Sequence, residues 1–206
     1  TNKIIRISSK PEKKFIRKIK NNYFKNLNNL ENLNFCIKIS KYLNLKESII
    51  LKSINSFNGL PFRQQIIFDN KNLLIMNDSK STSFSSTVSH LKNYKNIFWI
   101  LGGIPKIGDK FVLEKKFFRN IKAYIYGENS NFFIKILKKK INYKIYKNLS
   151  NLVDNLIIDI KADKKKKNII FSPASASFDQ FKNFEKRGEY FNFIIKNKNF
   201  INRVND

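Results

Sequence analysis

The sequence predicts an α/β fold built on a doubly wound, mostly parallel sheet. Two observations carry this expectation. From Arg63 onward, short apolar runs alternate with amphipathic stretches at helical spacing, and that alternation favours parallel strands joined by crossover helices. The chain of 206 residues is also 42% hydrophobic with 20 Phe, which is ample to pack a core.

Taken in order, residues 1 to 24 are basic and read as irregular, with room for one or two strands. Asn29 to Leu43 and Lys46 to Phe57 read as consecutive helices, separated by Asn44 and ending at Gly59-Leu60-Pro61. Gln65 to Phe68 and Leu73 to Asn77 read as strands around a polar Asp69-Asn70-Lys71 turn. Thr82 to Lys92 reads as a helix with a hydroxyl residue to cap it. Asn96 to Leu101 is a buried strand ending in Gly102-Gly103, and Phe111 to Phe118 is a short helix or an irregular segment. Ala123 to Tyr126 is a strand closed by Gly127, followed by a helix from Asn131 to Lys139. Tyr143 to Tyr146 is a weaker strand, Leu149 to Ile160 a helix and Asn168 to Phe171 the last clear strand. The final helix is expected from Phe178 to Lys196. Two helices, a Gly-Leu-Pro junction and a complete α/β unit suggest the end of one domain joined to a second.

Composition excludes several classes. A single cysteine, Cys36, rules out a disulfide framework and fits a reducing compartment. It falls on a helix without a His neighbour and reads as a small core residue. No apolar run approaches the ~20 residues that span a bilayer, and the first residues lack the apolar core of a signal peptide. A cytoplasmic location is expected, and a start without Met predicts further sequence upstream. Lys and Arg number 41 against 15 Asp and Glu, a net charge of +26. Such a balance is the footprint of a nucleic-acid-binding module, which stands as an alternative. Against it, the lysines are spread along the chain and outnumber arginine, whereas specific recognition enriches arginine's bidentate fork. Runs such as Lys138-Lys139-Lys140 and Lys164 to Lys167 read as solvated helix ends and turns.

Ligands in doubly wound sheets bind beyond the carboxyl ends of strands, so the turns after Asn77, Leu101 and Phe171 are the places to search. In the first, Met76 to Thr82, Asp78 can accept hydrogen bonds from ribose or amine, Lys80 can neutralise an anion and Thr82 can donate to one. The same residues also read as a polar turn with a Thr cap. In the second, Gly102-Gly103-Ile104-Pro105-Lys106 allows close backbone approach beside a cation, although it is not a phosphate loop of the Gly-Lys-Ser/Thr kind. In the third, Ser172-Pro173-Ala174-Ser175-Ala176-Ser177 precedes a helix start where backbone N–H groups favour anions. Phe178, Phe181 and Phe184 there read as core positions. The only His, His90, lies inside a helix, which speaks against a metal cluster or a His-based triad.

Together these turns resemble the C-terminal part of the Mur ligases. Asn77-Asp78-Ser79-Lys80-Ser81-Thr82 is similar to that family's Asn-Asp-Ser-Lys-Ala-Thr segment. Ser172 to Gly188 is similar to its Ser-Pro-Ala-x-Ala-Ser-x-Asp-Gln-Phe-x-x-Phe-x-x-Arg-Gly signature. Gly59-Leu60-Pro61-Phe62-Arg63 resembles its Gly-Leu-Pro-His-Arg linker with Phe62 in place of His. Asn28-Asn29-Leu30-Glu31-Asn32 resembles its His-Asn-x-x-Asn segment with Asn28 in place of His. The resemblance extends from Asn26 to Asn197. Sibling branches carry a His-containing turn at the Asp78 position, so the D-glutamate-adding branch is preferred.

The resemblance implies a Rossmann-like C-terminal domain over residues 61–206, binding D-glutamate, preceded over 1–60 by the helical end of a central ATP-binding domain. It implies ligation of D-glutamate to UDP-N-acetylmuramoyl-L-alanine through an acyl phosphate, with ATP and Mg²⁺, in peptidoglycan precursor synthesis. Lys80, Thr82, Lys106 and Ser177, aided by the backbone around Phe178 and Phe184, would hold D-glutamate. Asn29, Asn32, Arg63 and Asp78 would contact the nucleotide. The family's phosphate loop, its carbamoylated lysine and its uridine-nucleotide domain have no counterpart in this sequence. The expectation is therefore a chain that binds no metal itself and is not a competent ligase alone, with an inactive or degenerate fragment as a further alternative.

Overall fold

The computed structural model describes residues 13–25, 27–163 and 165–205. The chain divides into two compact units, Thr1–Gly59 and Leu60–Asp206.

The first unit is helical: α1 (Lys13–Lys18), a 3-10 turn (Asn22–Lys25), α2 (Leu27–Tyr42) and α3 (Glu47–Ser56). The strands expected before residue 24 are replaced by α1 and the 3-10 turn, while residues 1–12 lie outside the described residues. In Lys13–Lys18 the apolar Phe15 is fully buried among exposed basic side chains, which anchors one turn of helix. Phe15, Phe24, Leu33, Ile37, Ile50 and Ile54 form the core. Asn44 takes the left-handed conformation (φ 57°) that lets α2 and α3 turn back on each other. Cys36 is exposed, contrary to the core position expected of it, because the buried face of α2 falls on Leu33 and Ile37 instead.

The second unit is a six-stranded sheet of β1 (Gln65–Asp69), β2 (Leu73–Asn77), β3 (Ile97–Leu101), β4 (Ile121–Tyr126), β5 (Asn142–Tyr146) and β6 (Lys167–Phe171). Their order is β1-β2-β6-β3-β4-β5. β1 and β2 form an antiparallel hairpin, and every other pairing is parallel. The helices are α4 (Phe84–Asn93), α5 (Lys115–Phe118), α6 (Ser130–Leu137), α7 (Leu149–Lys161), α8 (Phe184–Asn197) and α9 (Phe200–Asn205). Side chains of the central strands alternate between two cores, as a period of two requires. Ile75, Phe98, Ile100 and Phe171 join α7, α8 and α9, while Met76, Trp99, Leu101 and Ile170 join α4 and α6. Each such fully buried side chain contributes ~1.5–3 kcal/mol of transfer free energy. Burial on both faces makes these strands uniformly apolar, the pattern of a covered parallel sheet.

Three local expectations are corrected, and the open reading of residues 111–118 is resolved. α4 begins at Phe84, because Ser83 and not Thr82 accepts the Ser86 N–H and closes a reciprocal capping box. Only Lys115–Phe118 of the stretch from Phe111 is helical. α8 begins at Phe184, where the Asn183 side chain accepts from the Lys186 N–H at 2.8 Å. Phe178 is accordingly 71% exposed, and Phe181 and Phe184 are only partly buried. A further helix, α9, extends the chain beyond the expected last one.

Candidate functional site

β2, β6 and β3 are neighbours, so the three turns singled out in the sequence leave the sheet side by side. Backbone hydrogen bonds continue the ladders past the strand ends. The Asp78 N–H donates to the Phe171 carbonyl (2.7 Å) and the Ser172 N–H to Ile100 (3.2 Å). Further out, Ile104 and Ala176 form an antiparallel bridge with reciprocal bonds of 2.9 and 2.8 Å. Lys106 and Ser177 therefore follow two paired residues on facing strands of one small loop assembly. Directly after this bridge the Ser177 carbonyl accepts from the Gln180 and Phe181 N–H groups in a single turn that does not continue into α8.

The turn after β2 is fixed from beneath. Asn77 Nδ2 donates to the Gly188 carbonyl (2.9 Å) and to Asn192 Oδ1 (2.7 Å), both on α8, and Asn77 Oδ1 accepts from the Ser79 N–H. The Asp78 carboxylate, 6% exposed, accepts from the Gln64 N–H (3.1 Å), the Ser81 hydroxyl and the Ser172 hydroxyl (3.2 Å). His90 Nε2 lies 2.7 Å from the same carboxylate. The carboxylate stands between Ser172 and His90; a nucleophilic relay would need the imidazole in the middle. Asp78, expected to meet a ribose, points its acceptors inward. Lys80 places its ammonium 4.1 Å from the centre of the Phe184 ring, a cation–π contact. Thr82 is exposed just ahead of the α4 cap.

Glycine is required where the second and third turns meet. At Gly103 (φ +127°) a Cβ would stand 2.3 Å from the Ala176 carbonyl and 2.6 Å from Ser175 Oγ. Ser175 Oγ donates to the Gly102 carbonyl at 2.6 Å, and Trp99 Nε1 donates to the Ser172 carbonyl at 2.8 Å. Asp109 accepts from the Phe84 N–H at the start of α4 (2.6 Å), tying down the far end of the Lys106 loop. Lys106 and Phe178 are exposed on their separate loops, whereas Ser177, beside Phe178 in the turn after β6, is buried.

Arg187, which sequence reasoning missed, is 1% exposed beneath these turns. Its Nε donates to Ser79 Oγ (3.0 Å) and its Nη2 to the Ser79 carbonyl (2.7 Å). Burial lowers its pKa, and burial likewise raises that of Asp179. Burial pushes the neighbouring Tyr126 phenol up to about 12. The available signal was the Arg-Gly pair at 187–188, where a Cβ on Gly188 would meet the Phe62 ring at 2.3 Å.

The remaining predicted residues lie apart. Asn29 is buried in the first unit and donates to the Tyr23 carbonyl at 2.8 Å, while Asn32 is exposed on α2. Arg63 is exposed in the turn that enters β1. Among the described residues, no three His, Cys, Asp or Glu side chains gather as a metal site, and no helix is long and apolar enough to cross a membrane.

No protein-family model matches the chain. Curated relatives do. A UDP-N-acetylmuramoylalanine–D-glutamate ligase of Rickettsia felis is 38% identical over 82% of this chain and 38% of its own length. The ligase of the same name from the Wolbachia of Brugia malayi is 38% identical over 79% of this chain and 33% of its own. Among solved structures, a UDP-N-acetylmuramate-alanine ligase of Thermotoga maritima aligns with a TM-score of 0.57 at 15% identity, covering 83% of this chain and 38% of that one. MurF from Acinetobacter baumannii aligns with a TM-score of 0.58 at 11% identity, over 87% and 38%. The structural matches share the fold, and the chain spans between 33% and 38% of the length of these two curated relatives.

Proposed function

We propose that this chain, which belongs to the Mur ligase family, forms the D-glutamate-binding part of a ligase that joins D-glutamate to UDP-N-acetylmuramoyl-L-alanine. The observation that carries the reading is the side-by-side exit of three loops from β2, β6 and β3, bearing Lys80 and Thr82, Ser177, and Lys106. A dicarboxylate needs cations and hydroxyl donors held at fixed spacing, and charge-assisted hydrogen bonds of this kind are about twice as strong as neutral ones. In our reading Lys80, Lys106, Thr82 and Ser177 receive the two carboxylates, and the backbone around Phe178 and Phe184 walls the pocket. Fixing the carboxylates orients the amine for attack on an activated acyl group, which is a positioning contribution to rate.

We assign residues 61–206 to the D-glutamate-binding domain and 1–60 to the end of a central ATP-binding domain. ATP would supply the activation of the acceptor carboxylate, and Arg63, Asn32, Asn29 and Asp78 are the positions expected to meet it. Of these, Arg63 and Asn32 present exposed polar groups; Asp78 would have to release one of its inward partners. In our reading Mg²⁺ is bound mainly by other parts of a complete ligase. Precursor synthesis of this kind places the protein in the cytoplasm.

The test is an amide NMR titration of the 206-residue chain with D-glutamate and, separately, L-glutamate. Saturable shifts at Thr82, Lys106 and Ser177 with D-glutamate, and weaker ones with L-glutamate, are expected. An unchanged spectrum with both, at millimolar ligand, would overturn the reading and favour an inactive fragment.

A further inference from the structure

We propose that Arg187 is a positioning residue that sets the Lys80–Thr82 turn against the Lys106 loop, an inference that rests on the D-glutamate reading for its consequence but not for its geometry. Its guanidinium is one of the largest fully buried side chains. Two of its nitrogens hold one residue, Ser79, through the hydroxyl at 3.0 Å and the carbonyl at 2.7 Å. The same Ser79 hydroxyl donates onward to the Phe184 carbonyl at 2.8 Å, so the start of α8 is fixed to the turn that it faces. The third nitrogen, Nη1, is buried without a hydrogen-bond partner among the described residues. It lies 3.2 Å from where a Gly103 Cβ would stand, against the backbone that leads to Lys106. One planar group thus holds the first cation-bearing loop by hydrogen bonds and fills the space beside Gly103 in the second.

The chemistry argues for arginine in particular. A lysine has one nitrogen and no fork, so it cannot bond both the Ser79 hydroxyl and carbonyl while filling the space beside Gly103. Burying a cation without an ion-paired carboxylate is costly to stability, and an apolar side chain of this length would serve the core better. The charge lies behind loops read as taking a dicarboxylate, in a low-dielectric interior where its field is little screened. The charged and titratable groups acting on it are the Asp179 carboxylate and the Tyr126 phenol. Asn77 makes the reverse attachment, from the end of β2 to Gly188 and Asn192 on α8.

The test compares amide spectra and D-glutamate affinity of the chain with those of Arg187→Met and Arg187→Lys. Both variants are expected to shift the amides of Ser79 to Thr82 and of Gly102 to Lys106. Affinity should fall at least tenfold for Met and by a smaller factor for Lys, which keeps the charge. A folded Arg187→Met with both sets of amides unmoved would overturn the proposal, as would moved amides with undiminished affinity. If Arg187→Met fails to fold, Ser79→Ala carries the same test, since it removes the Nε acceptor and leaves the charge in place; unmoved amides at Lys80 and Thr82 would again overturn it. Should the unaltered chain show no D-glutamate response, the substrate reading falls while the amide comparison still decides the positioning role.

Discussion

Asp78 and Lys106 follow strands on either side of β6, and sequence reasoning gave both a ligand to hold. Their surroundings are opposite. Asp78 sits in a polar floor with Ser81, His90, Ser172 and the Gln64 backbone, its acceptors all turned inward. Lys106 stands on an exposed rim with Phe178 and Thr82. The contrast separates two jobs that a motif alone merges. Floor residues spend their hydrogen bonds on each other and so define where the loops run; the rim residues are open to solvent. Conformational precision at a binding site needs both.

The largest expected effect breaks the floor. Asp78→Ala leaves the Gln64 N–H, His90 and two hydroxyls without their acceptor in a buried site. Stranding buried donors in this way costs about 3–5 kcal/mol. A urea denaturation series should show the midpoint lowered by that free energy divided by the slope, at constant slope; a midpoint equal to that of the unaltered chain would mean that the floor is solvated in solution.

A smaller effect comes from the Tyr126 phenol, buried beneath Gly102 without a hydrogen-bond partner among the described residues. Burial raises it from 10 to about 12. The folded state therefore holds this proton more tightly than the unfolded chain. Its stabilising share is fully present below pH 10 and is lost as pH rises to about 12, some 2–3 kcal/mol in all. Tyr124 is raised in the same direction, by burial and by donating to Asp159 at 2.7 Å, and adds to the same decline. Tyr126→Phe should shallow the alkaline limb, because it removes the titrating hydroxyl. An identical limb in the variant would assign the decline to other groups.

The floor was the part least legible in the sequence, for a physical reason. The strands announce themselves through runs such as Ile97-Phe98-Trp99-Ile100-Leu101, since burial on two faces demands apolar side chains throughout. The anion-suited positions are legible too, because Lys80, Thr82, Lys106 and Ser177 lie in strand-end turns of cationic and hydroxyl residues. Arg187 is not: in a chain with 41 basic residues another arginine on a helix looks solvated, and its partner Ser79 is 108 residues away. The start of α8 was also misplaced. Ser177-Phe178-Asp179-Gln180 has the residues of a helix start and does form one turn on the Ser177 carbonyl, but Asn183 supplies the cap from which α8 runs. Ser83 and Thr82 are both hydroxyl residues, and only the backbone geometry chooses between them.

The smallest expected effect on stability sharpens the comparison most. Lys106→Ala and Phe178→Ala remove exposed side chains that hold no other residue in place, and exposed substitutions of this kind leave a fold nearly unperturbed. Their denaturation midpoints should coincide with that of the unaltered chain, while the D-glutamate shifts at Ser177 weaken for Lys106→Ala and persist for Phe178→Ala, whose contribution is through its backbone. A lowered midpoint for Lys106→Ala would place that residue in the floor and collapse the distinction. Equal loss of ligand response in both variants would show instead that the rim acts through its apolar surface. Only the combination of full stability with selective loss at Lys106 fits a rim whose cation is reserved for an incoming carboxylate.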